Sequence, residues 1–396
     1  MARTSRAGTR SPALLWLRCR LCAGRGVLWV MRQVTLNDTE AIAIGAGILG
    51  TGGGGSTYLN RLRLDNELRR SGKSLPIIRA DDVPDDALVC AVGGMGAPTV
   101  SNEKLQEGRE IMRAVRAMEA HLRQPMHAII IGEIGGGNAL GPLVAALQLG
   151  LPAVDGDSMG RAFPELQMDT FMIYGVAPSP FALADTHGNI AIFPRIGSAK
   201  QAEDFARSLT IEMGGSAALV MPVMSGAELK RTIIRDTLSL AKRIGQAVLD
   251  CRARSMEPAA TIAKLCHGRI LFTGKIIDVE RRTVQGFARG KLKISAFTPL
   301  GPPNELGRSL EIEFQNENLI AWLGDEVLCA VPDLITIVSL DDGEAIGTES
   351  LRYGLRVAVL GMPAPKELKT PAALAVVGPR AFGYDVDFQP LPGDLL

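Results

Sequence analysis

His127-Ala-Ile-Ile-Ile-Gly-Glu-Ile-Gly-Gly-Gly-Asn138 passes from an unbroken apolar run into a glycine-rich loop carrying one carboxylate and one amide. Apolar on both sides of the pleat, Ala128 to Ile131 reads as a short strand buried on two faces, the habit of parallel sheets covered by helices. Two other stretches end the same way: Ala87-Leu-Val-Cys-Ala-Val-Gly-Gly-Met-Gly-Ala-Pro98 and Pro152-Ala-Val-Asp-Gly-Asp-Ser-Met-Gly-Arg-Ala-Phe-Pro-Glu-Leu-Gln-Met168. Helical periodicity lies between them, in Asn102 to Arg123 with apolar spacing at Leu105, Ile111, Met112, Val115 and Met118, and in Leu140 to Leu149. Upstream, Thr39 to Leu49 reads as an apolar helix behind the N-cap candidates Asn37 and Asp38, Thr57 to Arg70 as a second helix, and Pro76 to Ala80 as a strand. Strands separated by such helices predict an α/β fold. Its amino-terminal part is a mostly parallel sheet with helices on both faces, and ligands are expected at the carboxyl ends of the strands, where the three loops lie.

Phe181 to Phe193 has the composition of a hairpin turning at Thr186 to Asn189. The chain then changes character. Helices around Ala199 to Met213, Gly226 to Arg252 and Pro258 to Cys266 precede a β-rich stretch with strands expected at Arg269 to Val284, Phe287 to Ala296, Ser309 to Gln315, Leu319 to Trp322, Leu334 to Ser339 and Arg356 to Leu360. The expected division is an extension over 1–30, disordered or untranslated with synthesis starting at Met31, an α/β domain over 31–198, and a helix-then-antiparallel-β domain over 199–390.

With 396 residues, 46% of them hydrophobic, the chain can bury more than one core. A formal net charge of +1 and 5% aromatic residues give neither a field nor stacking platforms for nucleic acid. No apolar run approaches the ~20 residues of a membrane helix. Cysteines scattered singly at Cys90, Cys251, Cys266 and Cys329 argue against a disulfide framework and for the cytoplasm. The expected partner is a small-molecule substrate, with self-association into a homo-oligomer left open.

Asp155 and Asp157 are the first candidates for chemistry, as general base on water, with Glu133 and Glu165 as acid or supporting groups, because carboxylates gathered at strand ends raise one another's pKa. Arg161 is expected to neutralise them and contact the substrate. Gly53 and Gly54, from the loop before the helix at Thr57, and Gly94 and Asn138 complete the substrate cradle, the glycines letting the backbone approach a ligand. Gly45-Ala-Gly-Ile-Leu-Gly50 has the spacing of a dinucleotide fingerprint but lies inside a helix, and no acidic residue follows where a ribose contact belongs. Ser158 in Gly156-Asp-Ser-Met-Gly160 fits a nucleophile elbow by spacing alone, since Pro164 interrupts the helix an elbow needs. Cys266 and His267 are adjacent but belong to no spaced zinc motif.

Taken together, Gly50-Thr-Gly-Gly-Gly-Gly-Ser56, Gly93-Gly-Met-Gly-Ala-Pro98, Gly132-Glu-Ile-Gly-Gly-Gly-Asn138, the stretch from Pro152 to Met168, Gly274-Lys-Ile-Ile-Asp278 and Gly286-Phe-Ala-Arg-Gly290 resemble the S-methyl thiohydantoin desulfurase family. The similarity runs from about Met31 to Phe382-Gly-Tyr-Asp385. It implies a bacterial hydrolase that exchanges a ring methylthio group for oxygen, giving a hydantoin and methanethiol. Such a reaction invites a divalent metal, zinc first, with Asp155, Asp157, Cys266 and His267 as expected ligands. A hydantoinase or oxoprolinase-type cyclic amide hydrolase and a non-catalytic small-molecule sensor are the competing expectations.

Overall fold

The computed structural model describes residues 31–96, 100, 103–104, 106–284, 287–297 and 309–395. The expected extension over 1–30, and the motif residues Ala97, Pro98 and Gly286, lie outside them. The chain is α/β. Its first strands are β1 (Gln33–Val34), β2 (Leu75–Ile78), β3 (Leu88–Gly96), β4 (Ala128–Ile131), β5 (Ala153–Val154), β6 (Gly156–Asp157), β7 (Phe181–Ala184), β8 (Ile190–Phe193) and β9 (Ser216–Ser225). An eight-stranded sheet takes all but β6, in the order β1-β2-β5-β4-β3-β9-β7-β8. The sheet is mixed. Strands β2, β5, β4 and β3 are mutually parallel, whereas β1, β9 and the β7–β8 hairpin join antiparallel to their neighbours.

Period-two alternation decides which helices cover which face. Cys90, Val92, Ile129 and Ile131 point to the side of α1 (Thr39–Leu49), α2 (Thr57–Ser71), α3 (Glu110–Leu122) and α4 (Gly141–Leu149). Val89, Ala91, Ala128 and Ile130 point to the other, against Phe171, Leu229 and Ile233. Each fully buried isoleucine contributes roughly 1.5–3 kcal/mol of transfer free energy, so a strand with none of its apolar side chains in water is held on both sides.

Beyond residue 198, helix α5 (Ala199–Glu212), strand β9 and helix α6 (Thr237–Ala253) still pack on the first sheet. Sequence periodicity misses β9 because Pro222 interrupts the apolar run Ala217 to Met224. In the fold Pro222 falls where the β3–β9 register shifts, opposite the step from Cys90 to Val92, so no ladder hydrogen bond is asked of it. Helix α6 crosses α1 at two glycines. A Cβ on Gly45 would overlap the carbonyl of Ala241, and one on Gly245 the carbonyl of Ala41. Close helix approach therefore accounts for Gly45, the first glycine of the apparent dinucleotide fingerprint. Asp38 precedes α1, but its carboxylate accepts from Thr35 rather than from the helix.

Strand β10 (Ile234–Arg235) pairs with β6. The remaining strands are β11 (Arg269–Val284), β12 (Phe287–Ala296), β13 (Ser309–Gln315), β14 (Glu317–Leu323), β15 (Glu326–Ala330), β16 (Leu334–Ser339) and β17 (Arg356–Met362). They form an antiparallel sheet in the order β15-β14-β13-β12-β11-β17-β16. Among the described residues no helix is long and apolar enough to cross a membrane.

Candidate functional site

The glycine loop from Gly50 to Ser56 is sewn to both sheets. Gly137 and Asn138 donate their amides to the carbonyls of Gly55 and Gly54, at 3.0 and 3.1 Å, while Asn318 and Thr348 donate to Thr51 and Gly52, both at 2.8 Å. Side chains on Gly54 or Gly136 would collide with the facing backbone. These glycines thus permit backbone to lie on backbone, and the polar ends of β3 and β4 are brought up against the first turn of β14.

A cavity of about 200 Å³ lies at this junction. Val92, Met95, Ile111, Met159, Phe163 and Leu219 give it apolar walls, and its polar groups include Arg63, Glu133, Asn138, Glu165, Arg207 and Glu317. Apolar walls with a few convergent polar groups are the usual character of a small-molecule site.

Glu133 is buried, and its two oxygens accept from Asn138 Nδ2 at 2.7 Å and from the amide of Phe163 at 3.2 Å. Burial pushes its pKa up to about 7, those hydrogen bonds partly opposing the rise. Asn138 is itself clamped, accepting from the Gly94 amide at 3.0 Å and donating to the Gly94 carbonyl at 3.2 Å. Gly94 and Asn138 border the cavity, but their mutual bonds make them a brace that aims Glu133.

Glu317, which sequence reasoning missed, is also buried, and its Oε2 has no hydrogen-bond partner among the described residues. Burial first, and the neighbouring Glu133 second, raise its pKa well above the ordinary carboxylate value. Gly53 is what admits it, since a Cβ there would overlap Oε1 of Glu317. Gly53 is therefore a cradle for a carboxylate of the protein's own. One signal existed in the sequence: Gln315-Asn-Glu-Asn318 is a polar run between two apolar strands, and all four residues are buried. A surface turn would expose them.

Asp155 and Asp157 do not line the cavity. Oδ2 of Asp157 accepts from the amides of Ile134, Met159 and Gly160 at 2.8, 3.0 and 2.9 Å, tying the loops after β4 and β6 together. Asp155 accepts from the Ser239 amide at 3.1 Å and from its hydroxyl, anchoring the start of α6. Burial still raises these carboxyls, to about 7 for Asp157 and about 6 for Asp155, so a raised pKa alone does not separate a site acid from a structural one. Glu165 reaches the cavity edge, yet its Oε2 is engaged by Lys200 at 3.3 Å and by Gln167.

Arg161 is likewise outside the cavity. It is wholly buried, donates to Thr51 Oγ1 and to the carbonyls of Ala162, Asn318, Pro332 and Asp333 at 2.9 to 3.3 Å, and stacks on Phe163. It pins the glycine loop to the second sheet, and its charge favours ionisation of both Glu133 and Glu317.

The ligand set expected for zinc does not gather. Cys266 is enclosed in the main core with its thiol pushed up to about 12, His267 is exposed, and both aspartates are taken up as described. Among the described residues no three His, Cys, Asp or Glu side chains converge on a metal position, so these four do not fit a divalent ion. Ser158 donates its hydroxyl to the Gly132 carbonyl at 2.5 Å, with no histidine beside it to activate it. Asp185 accepts from His187 and Asn189 within the hairpin turn, which makes that pair a turn device.

Models of the S-Me-THD-like N-terminal and C-terminal domains match residues 37–195 and 197–391. A crystal structure of a protein from Chromobacterium violaceum shares the fold with a TM-score of 0.77 at 23% identity, over 91% of this chain and 99% of that one. No curated protein matches.

Proposed function

The chain belongs to the S-Me-THD-like family, and from that premise we propose that it is a hydrolase exchanging the methylthio group of an S-methyl thiohydantoin for oxygen. One observation carries the chemistry: two buried carboxyls from separate parts of the fold, Glu133 and Glu317, line one cavity, and burial raises the pKa of both while the charge of Glu133 raises that of Glu317 further. Like charges held together in low dielectric do not ionise together. Ionisation of one holds the other as a carboxylic acid, and one of each is the combination that acid–base hydrolysis needs.

The ring carbon bearing sulfur is electrophilic. A water oxygen bonds to it while Glu133 takes one water proton, and the C=N electron pair moves to the ring nitrogen. Collapse forms the C=O bond and breaks the C–S bond, and the hydroxyl proton passes to that nitrogen. Methanethiolate leaves with a proton from Glu317, and Glu133 returns its proton to Glu317. The sum is substrate plus water giving hydantoin plus methanethiol. Apolar walls keep the sulfur side dry and make each charge interaction stronger than it is in bulk water.

The test is release of methanethiol from S-methyl hydantoin-type rings, followed with a thiol reagent, in wild type and Glu133→Gln. Wild-type turnover that falls ~10²-fold or more in the variant supports the reading. Turnover that survives the substitution removes Glu133 from the chemistry.

A further inference from the structure

We propose that Arg207 receives the negative charge that develops on the ring, through the carbonyl oxygen next to the attacked carbon's nitrogen, and that this makes the carbonyl a required feature of the substrate. The inference rests on the desulfurisation reading above and adds a charge-stabilising residue and a substrate class to it. Arg207 stands on α5 one turn after Glu203 and lines the cavity together with Glu317. Its orientation is fixed from three sides. Nε donates to Glu203 Oε1 at 2.7 Å, Nη2 donates to the Pro164 carbonyl at 3.0 Å, and the guanidinium carbon lies 4.4 Å from the centre of the Phe287 ring. Glu203, only 2% exposed, is held in turn by the Leu166 amide at 3.0 Å, so the partner that orients the arginine is itself immobile.

A guanidinium is a planar fork with five donors, and among the described residues no oxygen engages Nη1. Arg207 lies over Phe287 and is held through Nε and Nη2, so among the described residues Nη1 is the nitrogen left free in a side chain that lines the cavity. That is the arrangement of a pre-aimed donor, which stabilises charge without reorganising at the moment of reaction. In the proposed reaction the electron pair displaced by water reaches a ring nitrogen flanked by a carbonyl, so amide conjugation spreads it to that oxygen. A ring isothiourea without the carbonyl leaves the charge on nitrogen, out of reach of this device.

The experiment compares two substrates, an S-methyl thiohydantoin and 2-methylthio-2-imidazoline, which lacks the carbonyl, in wild type, Arg207→Met, Arg207→Lys and Phe287→Leu. Removing one such donor lowers turnover by about 10²-fold or more, and the loss is expected for the thiohydantoin in Arg207→Met, with little change for the imidazoline. Arg207→Lys keeps a cation beside Glu203 and guards against a failure to fold; it is expected to lose the same preference, because an ammonium has no fork. Phe287→Leu, which frees the plane but keeps the ion pair, is expected to lose part of it. Equal losses on both substrates, or none, overturn the role of Arg207 while leaving the hydrolase standing. If wild type releases no methanethiol from either compound, the hydrolase reading fails by itself. Calorimetry with hydantoin against 2-imidazolidinone then decides: Arg207-dependent preference for hydantoin supports the inference, and its absence overturns it.

Discussion

Asp157 and Glu133 lie just beyond the neighbouring strands β5 and β4, are both buried, and have pKa values raised by the same cause to the same region. Their surroundings nevertheless give them opposite work. One oxygen of Asp157 collects three backbone amides outside the cavity, whereas Glu133 faces the cavity with one side-chain donor and one longer amide contact. Three fixed backbone donors on one oxygen, with the other oxygen buried away from the cavity, make a carboxylate a fastener. Access to a cavity, with a second under-bonded carboxyl beside it, leaves a carboxylate free for a reactant.

Exchange of each charge for an amide breaks or sharpens that contrast most directly. Glu133→Gln is expected to lose ~10²-fold or more of its turnover while keeping its melting temperature. Asp157→Asn can keep its amide oxygen on the three backbone donors but weakens those bonds by removing the charge and buries an NH2 at the unpartnered Oδ1 position, and is expected to cost about 2 kcal/mol of stability, with turnover per folded molecule within about tenfold of wild type. Thermal melts run beside the thiol assay read both quantities. The reverse pattern, an unstable Glu133→Gln and an inactive but stable Asp157→Asn, would exchange the two assignments.

The pH dependence follows from the same groups. Glu133 ionises at about 7 in the folded chain against 4.5 ordinarily, so the folded state holds its proton longer than the unfolded one. Its contribution to stability is therefore fully present below pH 4.5 and is lost as pH rises through about 7. Asp155, Asp157 and Asp169 are shifted in the same direction and add to the slope. Turnover runs the other way over this range, rising toward about pH 7 as Glu133 becomes a base, and falling again where Glu317 loses its proton. Denaturant titrations at several pH values are expected to show a shallower decline in Glu133→Gln. A slope unchanged by that substitution would place its ionisation elsewhere.

Gly53 tests the cradle. Alanine there meets the Glu317 carboxylate and is expected to cost roughly 1–3 kcal/mol, most of which disappears when Glu317 is truncated to alanine in the same chain. Costs that simply add would mean that Gly53 serves the backbone and not the carboxylate.

How much of this was legible beforehand depends on which interactions are local. The strand-to-glycine-loop transitions at Gly93, Gly132 and Asp155 announced the α/β sheet and the edge where the cavity lies, because period and turn chemistry act over a few residues. That Asp155, Asp157 and Arg161 lie outside the cavity was not legible, because sequence gives a residue's type and strand position but not which backbone groups will close on it. Glu317 was hidden for the complementary reason. It lies far along the chain and reaches the cavity only through the contact of the second sheet with the loop at Gly53, and its one local trace is the polar run from Gln315 to Asn318. Arg207 has no local trace of its place at the cavity, because Phe287, the ring it lies over, comes from a strand far along the chain.

Cys266 and His267 carry the smallest expected effects and the cleanest check on the abandoned metal set. Cys266 is buried in the main core, in the cluster that also holds Ile262, Ala263 and Met362, so its replacement by alanine removes one small buried group and is expected to cost about 1 kcal/mol without touching turnover. His267 is exposed and sits at φ +54, a backbone region that glycine occupies more readily than an L side chain. His267→Gly is accordingly expected to leave stability unchanged or slightly raised, and turnover within about twofold, as for surface substitutions away from special features. A divalent ion lost with either substitution, together with activity restored by added zinc, would reinstate them as ligands and require the second sheet to move toward Asp157. Turnover indifferent to both leaves the pair where the packing puts it, at the end of a helix and away from the chemistry.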